Sequence, residues 1–79
     1  MKLTTNKIED TIQEIRYARA EYIMLIGETP KKMIVNDATH RLLLGAVFEV
    51  FGTIDVSLFE MGISVHEEME DGEVFFAPF

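Results

Sequence analysis

Residues 58–77 read Leu-Phe-Glu-Met-Gly-Ile-Ser-Val-His-Glu-Glu-Met-Glu-Asp-Gly-Glu-Val-Phe-Phe-Ala, and this stretch decides the fold class. Phe59, Met61, Ile63 and Val65 alternate with Leu58, Glu60, Gly62, Ser64 and His66, the period of two expected of a half-buried strand. Met69-Glu70-Asp71-Gly72 reads as a turn, because Asp-Gly suits positive φ, and residues 73–77 then return as the antiparallel partner. Residues 53–57 are a candidate short edge segment. Phe75 and Phe76 are adjacent, so in a strand they point to opposite faces of the sheet. One of them joins the Phe59, Met61, Ile63 and Val65 side. The other, with Leu58 and Phe79, forms an outer apolar patch. Either one helix covers each face of the sheet, or the outer Phe is buried against another subunit or partner; the second reading is favoured.

Upstream the period changes. Ile8, Ile12, Ile15, Ala18, Tyr22, Ile23 and Ile26 recur at three- and four-residue steps, one apolar stripe of a helix over residues 6–26. Asn6 is a candidate cap, with Glu9 three places on, while Gly27 and Pro30 stop the helix. The run Tyr-Ile-Met-Leu-Ile at 22–26 also fits a short strand after a helix ending near Ala20. Residues 31–35, Lys-Lys-Met-Ile-Val, read as a strand. Asn36 or Asp37 then caps a second helix that runs from about Ala38 to Phe51 and closes at Gly52. In it Leu42, Leu43, Leu44, Ala46, Val47, Phe48, Val50 and Phe51 leave only His40, Arg41, Gly45 and Glu49 to face water. Arg41, Gly45 and Glu49 are four apart, so the wet face is one narrow ridge. A helix apolar nearly all round is buried on more than one side.

These elements give an α+β protein of order α-β-α-β-β. Two helices pack on a small three-stranded, mainly antiparallel sheet, and residues 1–79 form a single domain. A 79-residue chain buries little more than half the surface its unfolded form exposes, so its core is thin. Too many Phe and Leu side chains compete for that core, and a homo-oligomer is the expected remedy.

Charge divides the chain. Residues 1–41 carry all seven Lys and Arg with six acids, and residues 42–79 carry eight acids with no Lys or Arg, which gives the net −7. Five of the acids, Glu67, Glu68, Glu70, Asp71 and Glu73, crowd the predicted hairpin tip. This balance argues against direct, sequence-independent nucleic-acid binding. Without cysteine there is neither a disulfide framework nor a thiolate metal site. No apolar run reaches the ~18 residues of a membrane helix, and no signal-peptide pattern is read at the start. A secreted disulfide scaffold, a zinc finger and an integral membrane protein are thereby set aside.

Candidate chemistry is sparse. His40 and His66 are the plausible bases near neutral pH, and His66 with Glu68 lies on alternate positions of one strand face. Two ligands at a hairpin do not make a metal site. There is no nucleophile elbow, no Gly-rich phosphate loop and no Ser/His/Asp arrangement. Gly27, Gly45, Gly52, Gly62 and Gly72 are each read as serving local structure, and Lys31-Lys32 as guarding a strand edge. No catalytic residue, metal or cofactor is assigned.

Residues 30–79 resemble a pattern in small proteins of tailed phages and in part of their major capsid proteins. The shared order is Pro30-Lys-Lys-Met-Ile-Val-Asn-Asp running into His40-Arg-Leu-Leu, then Phe59-Glu-Met-Gly-Ile-Ser-Val65, an acidic stretch, and Asp71-Gly-Glu-Val-Phe-Phe-Ala-Pro-Phe79. None of these motifs is chemically specific. A capsid subunit is several times longer, with an extended loop and a long spine helix not found in this sequence. The resemblance implies phage or prophage origin and carries over no catalytic residue.

The sequence therefore leads to a non-catalytic, self-associating assembly protein, in the host cytoplasm or on the virion. Its expected interface is Phe75, Phe76, Phe79 and Leu58, with Leu44 and Phe48 next. The competing expectation is a small regulator or inhibitor that imitates nucleic acid. Its acidic segment, Glu67, Glu68, Glu70, Asp71 and Glu73, would dock on a basic surface of a host protein.

Overall fold

The computed structural model describes residues 1–5 and 7–79. The chain is α+β: two helices on a three-stranded mixed sheet. Its elements are α1 (Ile8–Ile26), β1 (Lys32–Val35), α2 (Asp37–Phe51), a 3₁₀ turn (Val56–Phe59), β2 (Gly62–Val65) and β3 (Phe75–Ala77).

Helix α1 keeps Ile12 and Ile15 in the core, and its last turn closes where the Gly27 N–H donates to the Ile23 carbonyl at 2.8 Å with φ +86°. Residues 22–26 are helical, not a strand. Met24, Leu25 and Ile26 are exposed, whereas the Tyr22 ring stacks obliquely on Phe76 at 5.9 Å. The cap expected of Asn6 falls outside the described residues, and Lys7, just before the helix, makes no side-chain cap. Glu14 instead gathers the segment ahead of the helix, accepting from the Thr4 N–H and hydroxyl and the Thr5 N–H.

Strand β1 buries Met33 and Val35 completely and turns Lys32 and Ile34 the other way. Asn36 caps α2, its side-chain oxygen accepting from the Thr39 N–H at 2.8 Å, and Gly52 closes it at φ +73°. Only Thr39, Leu43, Ala46 and Val47 of α2 are buried; Leu42, Phe48, Val50 and Phe51 are exposed. The narrow wet ridge expected of this helix is in fact a broad exposed side.

The sheet order is β2-β1-β3, with β1 parallel to β2 and antiparallel to β3. Thus β2 and β3 are not the expected hairpin, and the sheet is mixed rather than mainly antiparallel. The reason lies in residues 66–74. The Asn36 amide donates to the Met69 carbonyl at 3.0 Å and to the Asp71 carboxylate at 2.6 Å, and the Thr39 hydroxyl accepts from the Gly72 N–H at 2.7 Å. The loop is tied to the start of α2, so the chain crosses the end of β1 and enters the sheet on its far side. The Asp71-Gly72 turn itself forms, with Gly72 at φ +82° and Glu73 N–H donating to the Glu70 carbonyl.

A second difference concerns residues 53–61. Leu58 and Phe59 lie in the 3₁₀ turn, which Asp55 caps by accepting from the Ser57 N–H, and Glu60 follows with φ +60°. Neither an edge segment at 53–57 nor a strand at 58–61 is present. Phe59 is buried all the same.

Both helices sit on one face. Ile12, Ile15, Leu43, Ala46 and Val47 from the helices cluster with Met33, Val35, Val74 and Phe76 from the strand side. A helix on each face is therefore not the arrangement. The start of the chain runs beside residues 72–74, Leu3 N–H donating to the Gly72 carbonyl and Val74 N–H to the Met1 carbonyl, both at 2.8 Å.

Replacing Asn36 by Ala removes the α2 cap and strands the loop partners, and is expected to cost about 2–3 kcal/mol in urea unfolding. Glu14 provides a pH test. Its pKa is lowered chiefly by the Thr4 backbone N–H; desolvation opposes this, and the Thr4 hydroxyl and the Thr5 N–H add to the lowering. A depressed carboxyl stabilises above its ordinary pKa and loses that contribution as pH falls through the lowered one. The Thr4 and Thr5 amide resonances should therefore shift together below pH 4.5, and Glu14→Gln should abolish the transition.

Candidate interaction surface

With the helices on the Met33, Val35 and Phe76 side, the alternate residues of the sheet form the other face, where Phe75 is exposed, Lys32, Ile34 and Ser64 are half-buried and Ala77 is buried. Its centre is Ile34, in register with Phe75 on one side and Ser64 on the other. Phe75 is 52% exposed and Phe79 70%, while the Lys32 ammonium stands 5.3 Å from the centre of the Phe79 ring. At the opposite end of the strands His66 places Nε2 3.1 Å from the Ser64 hydroxyl and Nδ1 3.3 Å from the Glu68 carboxylate. Glu73, two residues before Phe75, shares this end with Lys2, its bridge partner. The face is thus apolar in the middle, cationic at one end and predominantly anionic at the other.

The expected interface residues separate. Phe75 and Phe79 lie on this open face. Phe76, 9% exposed, belongs to the core, and Leu58 is half-buried against that core in the 3₁₀ turn, so neither lines an outer patch. Phe48 is 58% exposed and Leu44 half-buried on α2, on the helix side of the molecule. The sequence reading missed Ile34, although a Met-Ile-Val strand must turn its middle residue away from the outer two. It also missed Tyr17, Met24 and Leu25, which the apolar stripe of α1 leaves outside.

Of the five acids, Glu67, Glu68, Glu70 and Asp71 are exposed. Glu70 pairs with Lys2 at 3.2 Å, Asp71 accepts from Asn36, and Glu73 is half-buried. Glu67 and Glu68 face solvent, and the Glu68 carboxyl is held below its usual range first by its own backbone N–H and then by His66. The loop's position at the start of α2 also suits negative charge, since the helix dipole is positive there.

Among the described residues no three His, Asp or Glu side chains are grouped to hold a metal. A pocket of about 190 Å³ lies between α1 and Phe76, lined by Met1, Ala18, Glu21, Tyr22 and Leu25. It is smaller than the roughly 300–1,000 Å³ of small-molecule sites. No helix is long and apolar enough to cross a membrane. Comparison with protein-family models, curated proteins and solved structures returned no match to this chain.

Proposed function

We propose that this protein is a non-catalytic, self-associating assembly module whose first partner is a second copy of itself. The observation that carries this reading is the packing of both helices on one sheet face, which leaves Phe75 and Phe79 exposed on the other beside a half-buried Ile34. An open sheet face of this kind is buried by another sheet ~10 Å away. The charges favour an antiparallel, two-fold arrangement, in which the Lys32 end of one copy meets the Glu73 and Glu68 end of the other. The resemblance of residues 30–79 to phage proteins supports a phage or prophage setting, in the host cytoplasm or on the virion.

The competing reading, an acidic surface docking on a basic protein, has Glu67, Glu68, Glu70 and Asp71 as its exposed acids. Glu70 and Asp71 are already engaged within the chain.

Sedimentation should show concentration-dependent self-association. Phe75→Ser should remove the sheet-face contact and weaken association, and should leave the thermal midpoint within a few degrees, because that side chain contributes little to the monomer's core. Phe76→Ser should cost about 3–5 kcal/mol and unfold much of the population. A monomer at every concentration would overturn the reading. Salt separates the two readings as well. Each chain carries −7, so raising ionic strength from about 0.01 to 0.15 M shortens the Debye length from ~30 to ~8 Å and should tighten self-association. Docking of an acidic surface on a basic partner weakens over the same range.

A further inference from the structure

Helix α2 carries a second set of residues that the isolated chain does not account for. Gly45 lies mid-helix and exposed, and a Cβ added there meets nothing within 4 Å. Its lack of a side chain serves no contact within the chain, although glycine is the poorest helix former after proline. Glu49 lies in the last turn, where the helix dipole disfavours negative charge, and among the described residues it makes no ion pair. Phe48 and Leu42 are exposed on either side of Gly45. Arg41 stands one turn before Gly45 and Glu49 one turn after it.

These features share one solution. We propose that α2 is a self-complementary contact surface whose occupant is α2 of a second copy, crossing antiparallel at Gly45. Arg41 and Glu49 each lie about 6 Å along the axis from Gly45, on opposite sides of it. An antiparallel crossing centred on Gly45 therefore sets Arg41 of each copy against Glu49 of the other, twice by symmetry. A parallel crossing sets like charges together. The missing side chain at Gly45 lets the two backbones approach, so that Phe48 and Leu42 are covered from both sides. Arg41 is paired with Asp37 at 3.0 Å in the single chain, an exposed i,i+4 contact that is easily exchanged or shared.

This contact lies on the helix side, away from the open sheet face, and stands whether or not that face associates. The test uses sedimentation of the full chain and of its Phe75→Ser variant, each with α2 substitutions. Glu49→Arg should weaken association about tenfold or more, while raising the thermal midpoint of the monomer, because a cation suits the helix end. Arg41→Glu should weaken it similarly. The double variant Arg41→Glu with Glu49→Arg restores both cross-pairs and should return the affinity to within about threefold of the parent. Gly45→Gln should keep the helix content and abolish the contact.

If the Phe75→Ser chain still dimerises and follows this pattern, the α2 contact is established. If that chain is monomeric and the α2 substitutions change nothing in the parent, the α2 contact is overturned and the sheet-face reading survives. Loss of association in both single variants without recovery in the double variant also overturns it.

Discussion

The side chain of Asn36 joins three parts of the chain at the end of β1, and the rest of the architecture depends on that knot. Its oxygen caps α2, while its amide holds the Met69 carbonyl and Asp71. Because it is nearly buried, each of these bonds counts for more than a solvent-exposed one. The consequence is topological. A loop fixed to the start of α2 cannot fold back along β2, so β3 enters on the far side of β1. That makes β1 the central strand and sends Phe76 beneath Tyr22 and Phe75 outward.

A three-stranded sheet needs both faces covered to hide its apolar residues, and two helices on one side leave the other open. Charge is distributed unevenly as well: the chain carries −7, and Glu68 and Glu73 stand at one end of that face, near the loop by α2. The centre of that face, Ile34 beside Phe75, remains apolar.

Much of this was legible in the residues. Gly27, Asn36 and Gly52 mark helix ends because a left-handed residue or a short polar side chain meets a specific need of the backbone there. The opposite placement of Phe75 and Phe76 followed from strand geometry alone. What was not legible depended on distant contacts. Period two over residues 58–65 looks the same whether Phe59 sits in a strand or is brought to the core by a 3₁₀ turn before Glu60. Asp71-Gly72 announces a turn but not its partner, and the choice of β1 over β2 was made by Asn36 and Thr39, more than thirty residues away in sequence. Burial on α2 was overestimated for a related reason. Composition says how many apolar side chains a helix has, and only the tertiary arrangement says how many neighbours are there to cover them.

The two proposed contacts differ in direction, and this governs what kind of assembly they build. A single two-fold contact closes after two copies. Two independent two-fold contacts, one on the open sheet face and one on the outer side of α2, leave an unused surface at each end of every dimer. Growth then continues by alternating sheet-to-sheet and helix-to-helix junctions until geometry closes a ring or repulsion halts it. With −7 on each copy the repulsion would accumulate along such an array, so ionic strength would limit its length. In that proposed assembly the apolar faces would make the junctions, and the charge on each copy would decide how many can form.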